Sequence, residues 1–254
     1  MTELIPKGIL FGNPVKSKPE ISPDGKQIAY LAPVDNVLNI WIKTIGLEDD
    51  RVITKEKYRG IITYFWAYDM KHMIYLQDTG GNENWNLYSV DLKTGGIKNL
   101  TPFPEVQVRI IKHERHFPDE ILIGMNKEDR KKHDIYRLHI NSGELELVAE
   151  NSGNAARWLS DADLNIRAAI SRKPDGVSDL LIRKNKNSPW EFLCTWDLED
   201  SMNCKPVCFS KDGQYIYLID SRDANAARLV KIEIATGTRE IIAEDPRYDV
   251  IFTM

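Results

Sequence analysis

Hydrophobic and polar positions alternate along this chain in short segments that recur at nearly constant spacing. The segments NIWIKTIG, NLYSVDLKTGG, DIYRLHINSGE, DLLIRKNKNSP and RLVKIEIATGT align on one large apolar residue each. These anchors are spaced 47, 48, 45 and 49 residues apart and are Trp41, Tyr88, Tyr136, Leu181 and Val230. Three of them are followed by an aliphatic residue four positions later and a glycine seven positions later. That pattern predicts a strand that runs into a glycine turn.

A second landmark keeps the same register. The segments SPDGKQIAYLA and SKDGQYIYLID carry Asp-Gly pairs 188 residues apart, which is four periods of 47. Asp-Gly favours a tight hairpin, because glycine accepts the positive φ that such a turn imposes. Ser22 and Ser210 precede these pairs, where a hydroxyl that bonds the local backbone is the ordinary arrangement. Weaker copies of the turn are predicted at 69–71, 118–119 and 161–163.

Each repeat therefore contains four antiparallel strands, the last of them at 51–54, Leu145–Ala149 or Arg239–Ala243. Four-stranded units that stack around an axis make an all-β fold, a β-propeller. We predict an N-terminal arm at 1–18, five blades within 19–244, and the start of a sixth blade at 245–254.

The segments IPKGILFGNPVKSKPEISPDGKQIAYLAP, DTGGNENWNLYSVDLKTG and MNKEDRKKHDIYRLHINSGEL occur in order and at blade spacing. With them the chain resembles the N-terminal β-propeller of the prolyl oligopeptidase family of serine peptidases, on the acylaminoacyl-peptidase and dipeptidyl-peptidase side. The resemblance implies a seven-bladed parent, whose propeller caps an α/β-hydrolase domain with a Ser-Asp-His triad. The G-x-S-x-G elbow of that domain does not occur in this sequence. We therefore assign no catalytic residue, and the resemblance implies peptidase activity only for a longer parent.

The loop DTGGNENWN, residues 78–86, is predicted between the second and third strands of blade two. Gly80 and Gly81 allow a sharp reversal, which leaves Asn82 and Glu83 at the tip. In relatives of the dipeptidyl-peptidase type an acidic residue of the propeller holds the free amino terminus of the substrate. The resemblance thus makes Asn82 and Glu83 candidate substrate-binding residues. The alternative is a turn whose asparagines bond their own backbone, with Trp85 as a packing residue.

Metal and cofactor sites are not expected. His113 and His116 form H-x-x-H, but the segment is predicted to lie between strands rather than on a helix. Cys194, Cys204 and Cys208 lack the second pair of a zinc pattern and are interpreted as reduced thiols.

Composition narrows the class of protein further. Of the 254 residues, 34 are basic and 38 acidic, and no long run of one sign occurs, which disfavours a nucleic-acid partner. No apolar segment has the length of a membrane helix or a signal peptide, so we expect no membrane contact and a cytoplasmic location.

The expected function is a non-catalytic propeller that gates and selects short peptides for the α/β-hydrolase domain of its parent. A stand-alone propeller that serves as a protein-interaction scaffold is the alternative. A third possibility, a five-bladed glycosidase, requires carboxylates that converge on the axis. Asp24, Asp69, Asp161 and Asp212 recur instead at hairpin turns.

Overall fold

Strands dominate the computed structural model, which describes residues 4–12, 15–153 and 155–251. They make up 47% of the residues, against 4% in helices. The strands form five four-stranded antiparallel sheets in which neighbours in sequence are neighbours in space. The predicted β-propeller blades are confirmed.

The strands are numbered in chain order, four to a blade. Blade one contains β1 Ser17–Ile21, β2 Gln27–Val34, β3 Val37–Thr44 and β4 Arg51–Val52. Blade two contains β5 Thr63–Trp66, β6 His72–Gln77, β7 Asn86–Asp91 and β8 Ile97–Asn99. Blade three contains β9 Val108–Glu114, β10 Phe117–Met125, β11 Asp134–His139 and β12 Leu145–Ala149. Blade four contains β13 Ala155–Ser160, β14 Ile166–Arg172, β15 Ser178–Ile182 and β16 Glu191–Trp196. Blade five contains β17 Lys205–Phe209, β18 Tyr215–Asp220, β19 Arg228–Glu233 and β20 Arg239–Ala243.

In the part of the chain that the structure describes, two short helices lie outside the sheets. Helix α1, Lys7–Phe11, precedes blade one, and α2, Asp200–Asn203, joins blades four and five. Within the described ranges, no helix has the length and hydrophobicity needed to cross a membrane.

Buried apolar clusters hold neighbouring blades together. In the described residues, the clusters between blades one and two, two and three, and four and five each contain eleven or twelve buried side chains. The cluster between blades three and four contains four, namely Leu122, Ile135, Leu164 and Ile166. Because each blade has two apolar faces, stacking supplies the burial that a single sheet lacks.

A polar contact inside the blades repeats with the period of the sequence. The hydroxyl of Thr54 accepts the backbone N–H of Ile40 at 2.9 Å, and the hydroxyl of Thr101 accepts that of Leu87 at 2.9 Å. Thr54 also donates to the side-chain oxygen of Asn39 at 2.9 Å. The closing strand β4 is shorter than predicted, since the Thr54 side chain takes the place of a ladder hydrogen bond.

Main-chain hydrogen bonds mark the start of successive blades. Ile61 donates to the carbonyl of Leu38, and Val108 donates to that of Trp85, so both bonds span 23 residues. Val250 donates to the carbonyl of Ala227 at 2.8 Å over the same span. The segment after β20 therefore meets blade five with the hydrogen bond that begins blades two and three.

The Asp-Gly turns form as predicted. Gly25 and Gly213 have φ of +74° and +67°. Ser22 and Ser210 accept the backbone N–H of Gln27 and Tyr215 at 2.9 and 3.0 Å, which confirms their local role.

The prediction of a turn at 118–119 is wrong. Pro118 and Asp119 lie inside β10, and the reversal falls at Arg115 and His116. The pairing of β9 with β10 is irregular between Phe117 and Ile121, so Pro118 sits where the ladder needs no regular N–H donor.

Candidate functional site

The loop 78–86 joins β6 to β7 in blade two, as predicted. Gly80 and Gly81 have φ of +63° and +83°, and Glu83 has φ of +60°. Left-handed backbone at a non-glycine residue is sparsely populated and persists only when neighbouring contacts impose it. Here the backbone N–H of Glu83 donates to a carboxylate oxygen of Asp78 at 3.0 Å. The chain reverses at Gly80 and Gly81, and the hydrogen bond to Asp78 fixes Glu83 at the tip of the loop.

Asp78 is the buried support of this loop. Its side chain is 0% exposed and lies 3.0 Å from the Nε atom of Arg59. The Arg59 guanidinium in turn lies over the Trp85 ring, 5.0 Å from its centroid. A buried carboxylate needs such a cation, because burial of an unpaired charge is costly. The contacts also agree with the packing role predicted for Trp85.

The two predicted binding residues differ in what their side chains do. Asn82 accepts the backbone N–H of Asn84 at 3.0 Å through its side-chain oxygen, which is the turn-stabilising alternative expected for this loop. Glu83 is exposed, and its carboxylate forms no hydrogen bond or ion pair with the residues that the structure describes. Of the pair, Glu83 presents a free charge.

Glu83 lines a cavity of about 950 Å³ whose walls come from blades two, three and four and from Pro206 of blade five. Blade three contributes Gln107, Arg109 and His133 to it, and blade four contributes Arg157 and Arg172. A second cavity of about 470 Å³ shares Arg157 and Arg172 with the first and reaches the segment after β20. A volume of this order accommodates a short peptide rather than a single ion.

Gln107 connects Glu83 of blade two to Arg109 of blade three. Its side-chain N–H donates to the Glu83 carbonyl at 3.4 Å, and its side-chain oxygen accepts from Arg109 at 3.1 Å. The backbone N–H of Gln107 donates to the buried Asn126 side chain at 2.6 Å. One amide thus fixes the positions of a carboxylate-bearing residue and a guanidinium-bearing residue relative to each other.

His133 lies close to the same guanidinium. Burial, together with the positive charge of Arg109, lowers the pKa of the His133 imidazole from 6.5 to about 4. Its Nε2 atom is buried and has no hydrogen-bond partner among the described residues. At neutral pH the ring is uncharged, so the positive charge of the cavity comes from the arginines and Lys131.

The histidines and cysteines considered in the sequence analysis lie among residues of the fold rather than in a metal site of the described residues. His113 belongs to β9 and stacks on Phe65 with ring centroids 4.3 Å apart, while His116 lies in the following turn. In the described ranges, no group of three or more His, Cys, Asp or Glu side chains is arranged to hold a metal ion. The three cysteines are free thiols, and burial raises the pKa of Cys194 to about 11.

The sequence interpretation did not include the basic residues of the cavity. Arg109, Arg157 and Arg172 lie on β9, β13 and β14 of two different blades. Arg109 and Arg157 lie on the first strands of their blades and Arg172 on the second, so the pattern of any single strand carries no signal that brings the three together.

No family model matches the chain. Over 250 residues it is 41% identical to dipeptidyl aminopeptidase BIII of Pseudoxanthomonas mexicana, covering 98% of this chain and 36% of that protein. Over 243 residues it is 27% identical to dipeptidyl peptidase family member 6 of Caenorhabditis elegans, covering 90% of this chain and 33% of that protein. The chain is a homologue of dipeptidyl peptidases. It spans about a third of the length of these two curated relatives.

Solved structures agree in fold. The chain matches the structure of two prolyl endopeptidases with a TM-score of 0.63 and 12% identity, covering 89% of this chain and 34% of that one. It matches oligopeptidase B from Leishmania major with a TM-score of 0.59 and 12% identity, over 89% and 33% of the two chains. TolB from Acinetobacter baumannii matches with a TM-score of 0.53 and 20% identity, over 91% and 55%. At these identities the likeness supports the propeller fold alone. The resemblance to the prolyl oligopeptidase family inferred from the sequence is confirmed by the named homologues.

Proposed function

We propose that this chain is the substrate-receiving propeller of a dipeptidyl-peptidase-like enzyme, and that Glu83 binds the free amino terminus of the peptide. The observation that carries the proposal is the Glu83 carboxylate, which lines the cavity without an internal partner on a loop fixed by buried Asp78. An enzyme that removes dipeptides must locate the amino terminus, and a fixed carboxylate recognises an ammonium group by a charge-assisted hydrogen bond. The named homologues are a dipeptidyl aminopeptidase and a dipeptidyl peptidase, in line with this role.

The same proposal gives the blades a gating role. An α/β-hydrolase domain supplied by the parent would carry the chemistry, and the propeller would admit short peptides to it. A cavity of about 950 Å³ receives an extended peptide end but excludes a folded protein. We place this activity in the cytoplasm.

Binding to the chain tests the role of Glu83. The ligands are two tripeptides with uncharged side chains and amidated carboxyl ends, one with a free amino terminus and one acetylated. We expect the free amine to bind about tenfold or more tightly than the acetylated peptide, because hydrogen bonds to charged groups contribute about 1.5–3 kcal/mol. Isothermal titration calorimetry measures both affinities.

The Glu83→Gln variant should bind both peptides equally. The matched control is Glu146→Gln, since Glu146 is exposed on the outer strand β12 and does not belong to the described lining of the cavity. That control should keep the preference for the free amine. If the acetylated peptide binds the unmodified chain as tightly as the free amine, Glu83 is not the amine-binding residue.

A further inference from the structure

The cavity beside Glu83 has an excess of positive charge. Among the residues that the structure describes, five basic side chains line it and Glu83 is the one carboxylate. Arg130 forms an ion pair with Glu105. The others form no ion pair with any residue in the described part of the chain, and they are Arg109, Lys131, Arg157 and Arg172.

This excess is opposite to the charge of the whole molecule. The chain has 34 basic and 38 acidic residues, a formal charge of −4. An average surface of this composition therefore carries slightly more acidic than basic groups. Unpaired cations that share one concave site raise its positive potential, since low-dielectric walls concentrate the field. Such a site attracts an anion from solution.

The arginines place the positive charge on neighbouring strands of two blades. Arg109 and Arg157 lie on β9 and β13, the first strands of blades three and four. The two strands are neighbours in the fold. Arg157 and Arg172 also line the adjoining cavity of about 470 Å³, so the positive charge extends from one cavity into the next.

Gln107 sets the relation between the negative and the positive parts of the site. It bonds both the Glu83 carbonyl at 3.4 Å and the Arg109 guanidinium at 3.1 Å, so the two residues lie beside the same side chain. A ligand that satisfies both groups carries an ammonium and, a short distance away, a carboxylate. A peptide with an acidic side chain near its free amino terminus has this chemistry, and so does a very short peptide with a free carboxyl end.

We propose that the cationic cavity selects peptides that carry a carboxylate within a few residues of the amino terminus, with Arg109 and Arg157 as its principal partners. The proposal deepens the function proposed for Glu83 and rests on it for the orientation of the peptide. Guanidinium groups suit this task, because their planar donors match the two oxygens of a carboxylate.

Four tripeptides, whose carboxyl ends are amidated or free, distinguish a side-chain carboxylate from a terminal carboxylate. The first has glutamate at its second position and an amidated end, the second has glutamine there and a free carboxyl end, and the third has glutamine and an amidated end. The fourth is the acetylated form of the first. We expect the glutamate peptide to bind about tenfold more tightly than the amidated glutamine peptide, and the preference to weaken as the salt concentration rises. Calorimetry on the chain measures all four.

The arginine variants locate the effect. Arg157→Gln should reduce the preference for glutamate over glutamine at least about threefold, and Arg157→Lys should retain only the part that charge alone supplies, because an ammonium cannot match both carboxylate oxygens. Arg51→Gln is the matched control, because Arg51 is exposed on the outer strand β4 and forms no ion pair with the described residues. Circular dichroism and thermal melting verify that each variant is folded.

The outcomes separate this inference from the function proposed above. If the glutamate and amidated glutamine peptides bind equally while acetylation still weakens binding, the cavity does not select carboxylates, but the role of Glu83 remains. If the glutamate peptide is preferred and acetylation has no effect, the carboxylate site stands and the amine site fails. A preference confined to the free carboxyl end assigns the site to very short peptides. If inorganic phosphate displaces the glutamate peptide at equal concentration, the cavity is a general anion site and the assignment to peptides is overturned. Absence of binding by all four peptides overturns both proposals.

Discussion

His133 is one of the side chains through which the stability of this protein depends on pH. The unfolded imidazole titrates near 6.5, whereas burial and the charge of Arg109 lower the pKa in the folded chain to about 4. Between these values the unfolded chain binds a proton that the folded chain does not, so the free energy of unfolding decreases as the pH falls through this window.

Replacement of His133 by asparagine should therefore remove part of the acid sensitivity. We expect the free energy of unfolding of His133→Asn to decrease less than that of the unmodified chain between about pH 7 and pH 4.5, as measured by urea denaturation. His116→Asn is the control, since the His116 side chain is 78% exposed. Parallel curves for His133→Asn and the unmodified chain would contradict this assignment.

The sequence could predict the turn of the candidate site, because that turn depends on neighbouring residues. Asn82 and Glu83 lie at the tip of a turn because Gly80 and Gly81 precede them, and short-range turn rules account for this. The rules could not predict that Asp78 would be fully buried, since its partner Arg59 comes from a preceding segment. Nor could they separate the free carboxylate of Glu83 from the locally bonded Asn82.

The Asp-Gly hairpins give a matched pair of elements with different surroundings. A Cβ atom at Gly25 would meet no heavy atom within 4 Å, whereas one at Gly213 would lie 2.3 Å from a guanidinium nitrogen of Arg167. Arg167 is itself held, because it lies over the Phe209 ring at 4.7 Å and donates to the Arg183 carbonyl at 3.2 Å.

We expect Gly25→Ala to lower the free energy of unfolding by about 1–2 kcal/mol, the strain of a left-handed non-glycine residue. Gly213→Ala should lower the free energy of unfolding by a larger amount, since the Arg167 side chain must also leave its position. Urea denaturation of both variants measures the difference. Equal costs would indicate that the Arg167 side chain moves away freely.

At the scale of the strand, the sequence period was sufficient to locate the third strand of each described blade. Trp41, Tyr88, Tyr136, Leu181 and Val230 all lie on the third strand of their blades. The alternation succeeds because one face of each strand packs against a neighbouring blade. The turn at 118–119 failed because a proline and an acidic residue resemble a turn locally, while the register of β9 and β10 places them in a bulge.

For the whole molecule, the smallest of the described apolar clusters between neighbouring blades lies between blades three and four. Their shared cluster contains four buried apolar residues among those described, where the other three clusters contain eleven or twelve. The large cavity opens at this same junction, and its lining includes Ile111 and Trp158. Sequence could not predict this cavity, because its walls come from four blades.

Leu122→Ala should therefore separate the unfolding of the two halves. We expect it to cost about 2–5 kcal/mol and to make amides on both sides of the junction exchange before those of blade one. Hydrogen exchange in low denaturant measures the order of opening. Leu218→Ala, in the larger cluster between blades four and five, is the comparison. If both variants give one cooperative transition with the same order of exchange, the junction is not a weak point.

The 23-residue main-chain hydrogen bonds carry a consequence for protein engineering. Ile61 and Val108 each donate a main-chain hydrogen bond to the carbonyl of the residue 23 positions earlier, and 47 residues separate them. A duplicated copy of residues 61–107 spliced in after position 107 would find a donor and an acceptor already in place at both seams. The propeller can thus be lengthened by whole modules, with the splice points dictated by the backbone rather than by side-chain similarity.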